Sequence, residues 1–280
     1  MKILVFGKTG QVARELQRQA DVVALDRSQA DLSDPAACAA IVRHSDANVI
    51  INAAAYTAVD QAETNEGLAT TINAVAPTEM AKAAAARGLP FLHVSTDYVF
   101  DGSGSAPRFP EEPTAPINAY GRSKLAGEQG VVAAGGTYAI LRTSWVFSAH
   151  GANFVKSMLR LGKERSALSI VDDQIGGPTP AADIVATLLQ MANQLCPDNS
   201  GIYHYAGAPE VSWKDFATEI FRQASLPVEV SGILTADYPS PAARPLNSRL
   251  DCSAMQNIFG IPQPAWQAGL TKVLQDLGEI

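Results

Sequence analysis

Tyr120 and Lys124 stand four residues apart in Tyr120-Gly121-Arg122-Ser123-Lys124, a spacing that puts both side chains on one face of a helix. A phenol hydroxyl can give its proton to a developing alkoxide when a nearby cation stabilises the tyrosinate left behind. The pair alone is equally what a surface tyrosine lying along a lysine stem would give, so its meaning depends on its surroundings. Ser95-Thr96-Asp97-Tyr98 follows an apolar run, and Thr96 there is placed to hold and orient a carbonyl oxygen. Gly7-Lys8-Thr9-Gly10-Gln11-Val12-Ala13 carries small residues at 7, 10 and 13. Such a turn lets the backbone approach a pyrophosphate, whose charge is favoured by the free N–H groups of a helix start. Asp26, nineteen residues beyond Gly7, is where a carboxylate would accept hydrogen bonds from an adenine ribose. Arg27 beside it would instead meet a 2′-phosphate, so NADH and NADPH both stay open. Asp31-Leu32 falls where an adenine-contacting loop belongs, and Asn52-Ala53-Ala54-Ala55 offers small residues against which a cofactor can lie.

These groups need a scaffold, and the first half of the chain has the pattern of one. Apolar runs at Ile3–Phe6, Val22–Leu25, Val49–Ile51, Phe91–Val94 and Tyr138–Leu141 alternate with Gln11–Ala20, Pro35–His44, Ala76–Arg87 and Tyr120–Ala134, which are rich in helix formers. Near-continuous apolar strands separated by helices predict a doubly wound parallel sheet, a Rossmann-type α/β fold. In that fold ligands bind beyond the carboxyl ends of the strands, which is where Gly7, Asn52 and Ser95–Tyr98 fall. Residues 1–147 are expected to form the dinucleotide-binding domain. Residues 148–280 are expected to form mainly a smaller α/β substrate-covering part without an independent core, some of its segments returning to the first sheet. Helices are expected near Asn153–Gly162, Ala181–Gln194, Trp213–Ala224 and Ala265–Leu277, and strands near Leu168–Val171 and Gly201–Tyr205. Asp101–Pro116 is long for a loop inside a compact domain and reads as a flap over the substrate.

Composition narrows the function classes. Hydrophobic residues make up 47% and charged residues 18%, which suits a folded enzyme and excludes a disordered chain. A net charge of −7 argues against a general grip on nucleic acid. The three cysteines, Cys38, Cys196 and Cys252, are odd in number and far apart, which fits a reducing compartment better than a disulfide framework. The four histidines stand alone, without metal-ligand spacing. The opening apolar run is too short for a signal peptide core or a membrane span, so the expected location is the cytoplasm.

Longer blocks carry a family resemblance over essentially the whole chain: Phe6-Gly7-Lys8-Thr9-Gly10-Gln11-Val12, Asn52 to Asp60, Ser95-Thr96-Asp97-Tyr98-Val99-Phe100, Tyr120 to Glu128, Arg142-Thr143-Ser144-Trp145-Val146-Phe147, Asp173 to Thr179, and Arg244-Pro245-Leu246-Asn247-Ser248-Arg249-Leu250. With these the chain resembles the extended short-chain dehydrogenase/reductases, and within them the dTDP-4-dehydrorhamnose reductase family. The resemblance implies NADPH- or NADH-dependent reduction of the C4 ketone of dTDP-4-dehydro-L-rhamnose to dTDP-L-rhamnose, a precursor of surface polysaccharide. It implies Tyr120 as proton donor, Lys124 as its partner, and Thr96 as the carbonyl-orienting hydroxyl. Gly10, Gln11, Val12, Asp26, Asp31, Leu32, Ala55, Tyr56 and Thr57 would line the cofactor, joining Gly7, Ala53, Tyr120 and Lys124. Asp97 and Trp145 would contact the sugar nucleotide, and Arg244 would meet its diphosphate. Ala13 departs from the third glycine often seen in the cofactor loop. Some members dimerise around a carboxylate-held metal; Glu15 is compatible with that, but Glu279 is the only carboxylate after Asp276. No metal is therefore expected, and a homodimer is left open. Another epimerase, dehydratase or reductase of the superfamily is the alternative within enzymes. A non-catalytic dinucleotide-binding regulatory subunit is the alternative outside them, disfavoured because Thr96, Tyr120 and Lys124 are all retained.

Overall fold

The computed structural model describes all 280 residues. Its strands are β1 Ile3–Phe6, β2 Val22–Leu25, β3 Val49–Asn52, β4 Phe91–Thr96, β5 Tyr138–Thr143, β6 Val146–Phe147, β7 Ala167–Val171, β8 Ile175–Gly176, β9 Thr179–Pro180, β10 Gly201–His204, β11 Val211–Ser212, β12 Glu229–Ile233 and β13 Asn247–Ser248. Its helices are α1 Gln11–Gln19, α2 Pro35–His44, α3 Val59–Ala62, α4 Glu66–Thr70, α5 Ala76–Ala86, α6 Ala119–Ala134, α7 Phe154–Glu164, α8 Ala181–Gln194, α9 Trp213–Gln223, α10 Ser253–Phe259 and α11 Trp266–Asp276. None is long and apolar enough to cross a membrane.

Six strands form one sheet in the order β10-β5-β4-β3-β1-β2, and every pairing in it is parallel. Alternation along β1 explains why both faces are covered. Ile3 and Val5 join a cluster with Leu16 of α1 and Ile184, Val185 and Leu188 of α8. Leu4 and Phe6 join another with Val42 of α2, Met80 and Ala84 of α5 and Val131 of α6. With no solvated face, β1, β3, β4 and β5 read as continuous apolar runs, while β2 at the sheet edge is only half-buried. The fold is the Rossmann-type doubly wound sheet that the alternation predicts. The strand order reverses between β1 and β3, so the switch-point crevice opens above the Gly7 turn and Asn52.

The second half of the chain contributes to both layers. β10 extends the sheet beside β5, and α8 packs beside α1 on the face shared with the first cluster. The rest surrounds a third cluster, including Phe147, Met158, Leu168, Phe216, Phe221, Trp266 and Leu270. The expectation that this part lacks a core of its own is therefore not met: α7, α9 and α11 each turn an apolar stripe inward, and the short strand pair β7–β12 does not interrupt it. Three elements escape the sequence pattern. The helical stretch Val59–Val75 is broken into short pieces with a π-helical turn at Thr71–Val75, β12 is mostly exposed, and α10 is only seven residues long.

Candidate active site

β4 runs on to Thr96, two residues beyond its apolar segment, because Ser95 and Thr96 keep their register with Arg142 and Thr143. The expected strand end at Val94 is corrected accordingly. The Thr96 hydroxyl accepts the Tyr98 N–H at 3.2 Å and donates to Asp97 Oδ1 at 3.0 Å. Asp97 is buried and its Oδ2 has no partner. Burial pushes its carboxyl up to about 6, with the hydroxyls of Ser248 and Thr96 opposing.

Asn118 starts α6, its side-chain oxygen accepting the Gly121 N–H at 2.7 Å, while its amide donates to the Ala243 carbonyl at 2.7 Å. Glu63 accepts the Ala119 N–H at 2.8 Å. These contacts fix the first turn, which carries Tyr120. Gly121 is needed for close approach, since a Cβ there would lie 2.2 Å from the Tyr98 carbonyl oxygen. The Tyr120 ring meets Tyr98 edge-on at 5.7 Å. Burial raises the Tyr120 phenol above its ordinary value, the Thr96 hydroxyl opposes this, and Asp97 adds to it. One turn on, Lys124 is fully buried, and burial brings its amine down to about 8 while Glu128 opposes. The structure thus brings Thr96, Asp97, Tyr120 and Lys124 to the carboxyl end of β4, as the sequence implied.

Arg142 of β5 forms a buried ion pair with Glu128 of α6, its NH2 at 2.7 Å and its Nε at 3.0 Å from the two carboxylate oxygens. Ser95 donates to the same carboxylate. Arg142 also donates to the Pro110 carbonyl at 3.1 Å, and His204 contacts the Arg108 carbonyl at 3.0 Å. The Arg108 N–H bonds Arg249, and Asp251 bonds back to Arg108. Asp101–Pro116 is therefore a strap pinned at its middle rather than a hinged flap.

Gly7 has φ +111, and a Cβ there would sit 3.3 Å from Ala53 and Ala54, so the two turns of the crevice touch. Gly10 is the N-cap of α1 and brings no side-chain cap. The first N–H groups of α1, those of Gln11 and Val12 among them, are left to a pyrophosphate. This donor set fits a dinucleotide, but only through the backbone at those two positions. The Gln11 side chain is taken by Ser148 and Asn153, both at 2.9 Å, and Val12 and Leu32 are core residues. Asp26 accepts from the Ser28 hydroxyl and backbone, lowering its carboxyl, and lies 3.6 Å from Lys8. Asp31 is paired with Arg27 at 3.2 Å. Lys8, Arg14, Arg18 and Asp26 line an open cleft of about 570 Å³. The Tyr56 peptide is gripped on both sides by Asn73, at 2.7 and 3.0 Å, and Asn73 reaches Ser123 of α6. Thr57 is exposed next to it.

Trp145 takes a left-handed backbone (φ +49) and stacks on Trp213 at 3.6 Å; strain of this kind collects at ligand sites. Arg244 is held by both oxygens of Asp60, at 3.0 and 3.1 Å. Asn73, His93, Asn118 and Trp213 escaped the sequence reading, and Asn52 entered it only as the start of the turn after β3. Of these only His93, a titratable residue inside an apolar strand, carried a local signal. Glu15, the residue compatible with a metal, is buried against Arg18 and His150. No group of three or more His, Cys, Asp or Glu side chains is arranged to hold a metal ion.

Residues 1–279 match the model of the family described as RmlD substrate binding domain. A dTDP-4-dehydrorhamnose reductase of Sinorhizobium fredii is 41% identical, covering 98% of this chain and 97% of its own. One from Escherichia coli K12 is 42% identical, covering 99% and 98%. The crystal structure of dTDP-4-dehydrorhamnose reductase from Bacillus anthracis in complex with NADP superposes with a TM-score of 0.93 at 36% identity, covering 98% of this chain and 99% of that one.

Proposed function

We infer the reaction from one premise: the chain belongs to the RmlD substrate binding domain family and is an oxidoreductase. Its curated relatives are dTDP-4-dehydrorhamnose reductases, and its reaction is the NADPH- or NADH-dependent reduction of the C4 ketone of dTDP-4-dehydro-L-rhamnose to dTDP-L-rhamnose. The observation that carries this reading is the meeting of Thr96, Tyr120 and Lys124 at the carboxyl end of β4, across from the Gly7 turn. The reduced dinucleotide supplies the hydride.

The chain's own residues do the rest. Thr96 and Tyr120 receive the ketone oxygen, and the Tyr120 phenol gives it a proton as charge develops. Burial keeps that phenol protonated but also holds the proton more tightly, so its release depends on a cation beside it. The Lys124 cation steadies the tyrosinate that remains. Gly7, Gly10 and the first turn of α1 hold the pyrophosphate, Asp26 and Asp31 the adenosine, and Ala53, Ala55, Tyr56 and Thr57 the wall beside the nicotinamide. Asp97, Trp145 and Arg244 take the sugar nucleotide, a guanidinium being suited to bidentate phosphate binding. Residues 1–147 act mainly on the dinucleotide and 148–280 mainly on the substrate. A cytoplasmic setting fits three unpaired thiols and a reaction that draws on reduced nicotinamide.

The test is absorbance of the reduced nicotinamide with dTDP-4-dehydro-L-rhamnose and each dinucleotide in turn. One dinucleotide oxidised per ketone reduced is expected. Product formed without net oxidation would make the chain an epimerase or dehydratase, and no turnover at all would favour a regulatory subunit.

A further inference from the structure

The Lys124 side-chain nitrogen is buried without a carboxylate partner, because Glu128, one turn on, is taken by Arg142 and Ser95. It has two contacts: the Val94 carbonyl at 2.7 Å and His93 Nε2 at 3.1 Å. His93 is wholly buried, and its other ring nitrogen lies 3.0 Å from the amide nitrogen of Asn52, its neighbour across the β3–β4 pair. The Asn52 oxygen in turn accepts the Ala54 N–H at 3.2 Å.

That last contact sets the direction of the whole row. A backbone N–H can only donate, so Asn52 gives its oxygen to Ala54 and turns its NH2 toward His93. His93 Nδ1 must then accept, and a neutral imidazole carries its single proton on Nε2. The Nε2–H points at Lys124. An ammonium has three donors and no lone pair, so it cannot receive that hydrogen; an amine can.

We propose that His93, oriented by Asn52, is a positioning residue for Lys124: in this arrangement it holds the lysine as the neutral amine, and the ammonium form has to turn away from it along the helix face it shares with Tyr120. The inference rests on Lys124 being the partner of Tyr120 and adds what controls that partner. The groups facing Lys124 agree with it. From β4 there is only His93, which burial keeps uncharged. From α6 there is Glu128, whose charge is met by Arg142, and Tyr120, a turn back and protonated. The row begins at Ala54, in the turn that touches Gly7, so the cofactor wall and the lysine are joined by hydrogen bonds.

Two NMR readouts on the whole protein test this without substrate. The ring nitrogens of His93 should show the hydrogen on Nε2. The εCH2 resonance of Lys124, assigned with Lys124→Met, should titrate well below an ordinary lysine. In His93→Gln, whose amide is free to turn its oxygen to the amine, that titration should rise by about one unit, a tenfold gain in proton affinity. A hydrogen on Nδ1 in the wild type, or a Lys124 titration that His93→Gln leaves unmoved or lowers, overturns the proposal. Both signals are read from the resting protein. A chain that titrates as described but fails to reduce the keto sugar loses the proposed function and keeps this inference.

Discussion

The Glu128–Arg142 pair offers the sharpest test of how the fold holds its site. Both side chains are about 2% exposed, and Glu128 receives Nε and NH2 of Arg142 and the Ser95 hydroxyl. Glu128→Leu leaves a guanidinium buried with the Pro110 carbonyl, His204 and the face of the Phe100 ring but no carboxylate. Breaking such a pair from one side costs about 3–5 kcal/mol. At roughly 2 °C per kcal/mol for a chain of this size, the melting temperature should fall by roughly 6–10 °C. Arg142→Leu should cost a similar amount, since it strands the carboxylate and unpins Pro110. The double variant removes both desolvated charges and should recover most of the loss, giving a coupling of at least about 2 kcal/mol in a double-mutant cycle. Urea unfolding of the four proteins measures it. If the two losses simply add, the ion pair is not what holds α6 against β5, and the reasoning fails.

Tyr120→Phe should lower kcat by about 10²–10⁴-fold while calorimetry finds NADPH affinity within about twofold of wild type. Asp97→Asn should be more stable than wild type at pH 7. Folding raises this carboxyl from 3.8 to about 6, so wild type loses stability as pH rises through that window. At about 1.4 kcal/mol per unit the gain is roughly 3 kcal/mol, and thermal melts should show it shrinking as pH falls from 6 toward 4. Asp26→Asn removes the one carboxylate lining the cleft shared with Lys8, Arg14 and Arg18, so the ratio of kcat/KM for NADPH over NADH should rise about tenfold; a fall would remove Asp26 from cofactor choice. Gly121→Ala must move the Tyr98 carbonyl, 2.2 Å from the new Cβ, at about 1–3 kcal/mol. Turnover should drop with stability, and a neutral result would mean that α6 sits elsewhere.

The sequence announced the sheet because β1, β3, β4 and β5 are covered on both faces and therefore apolar along their length, and the half-exposed edge strand β2 is apolar as well. The proposed roles of Tyr120, Lys124 and Thr96 were legible in it because their chemistry is tied to short local motifs. What it hid depends on contacts between distant segments. His93 faces Lys124 only because β3 and β4 pair in a particular register and α6 crosses above them. Asn73 reaches Tyr56 from a π-helical turn that no periodicity marks. The length of Asp101–Pro116 suggested mobility, yet Arg142 and His204 hold its backbone from strands that come later in the chain. Gln11 shows the converse: a residue in the expected place whose side chain is spent on Ser148 and Asn153, leaving only its backbone for a ligand.

The central claim is that the Tyr120 hydroxyl delivers the proton to the ketone that Thr96 holds. A crystal structure with both the dinucleotide and dTDP-4-dehydro-L-rhamnose bound reads it directly. The account predicts the C4 oxygen within about 2.6–3.2 Å of the Tyr120 hydroxyl and in contact with Thr96. A substrate whose C4 oxygen lies out of reach of Tyr120, with another proton donor beside it, contradicts the account.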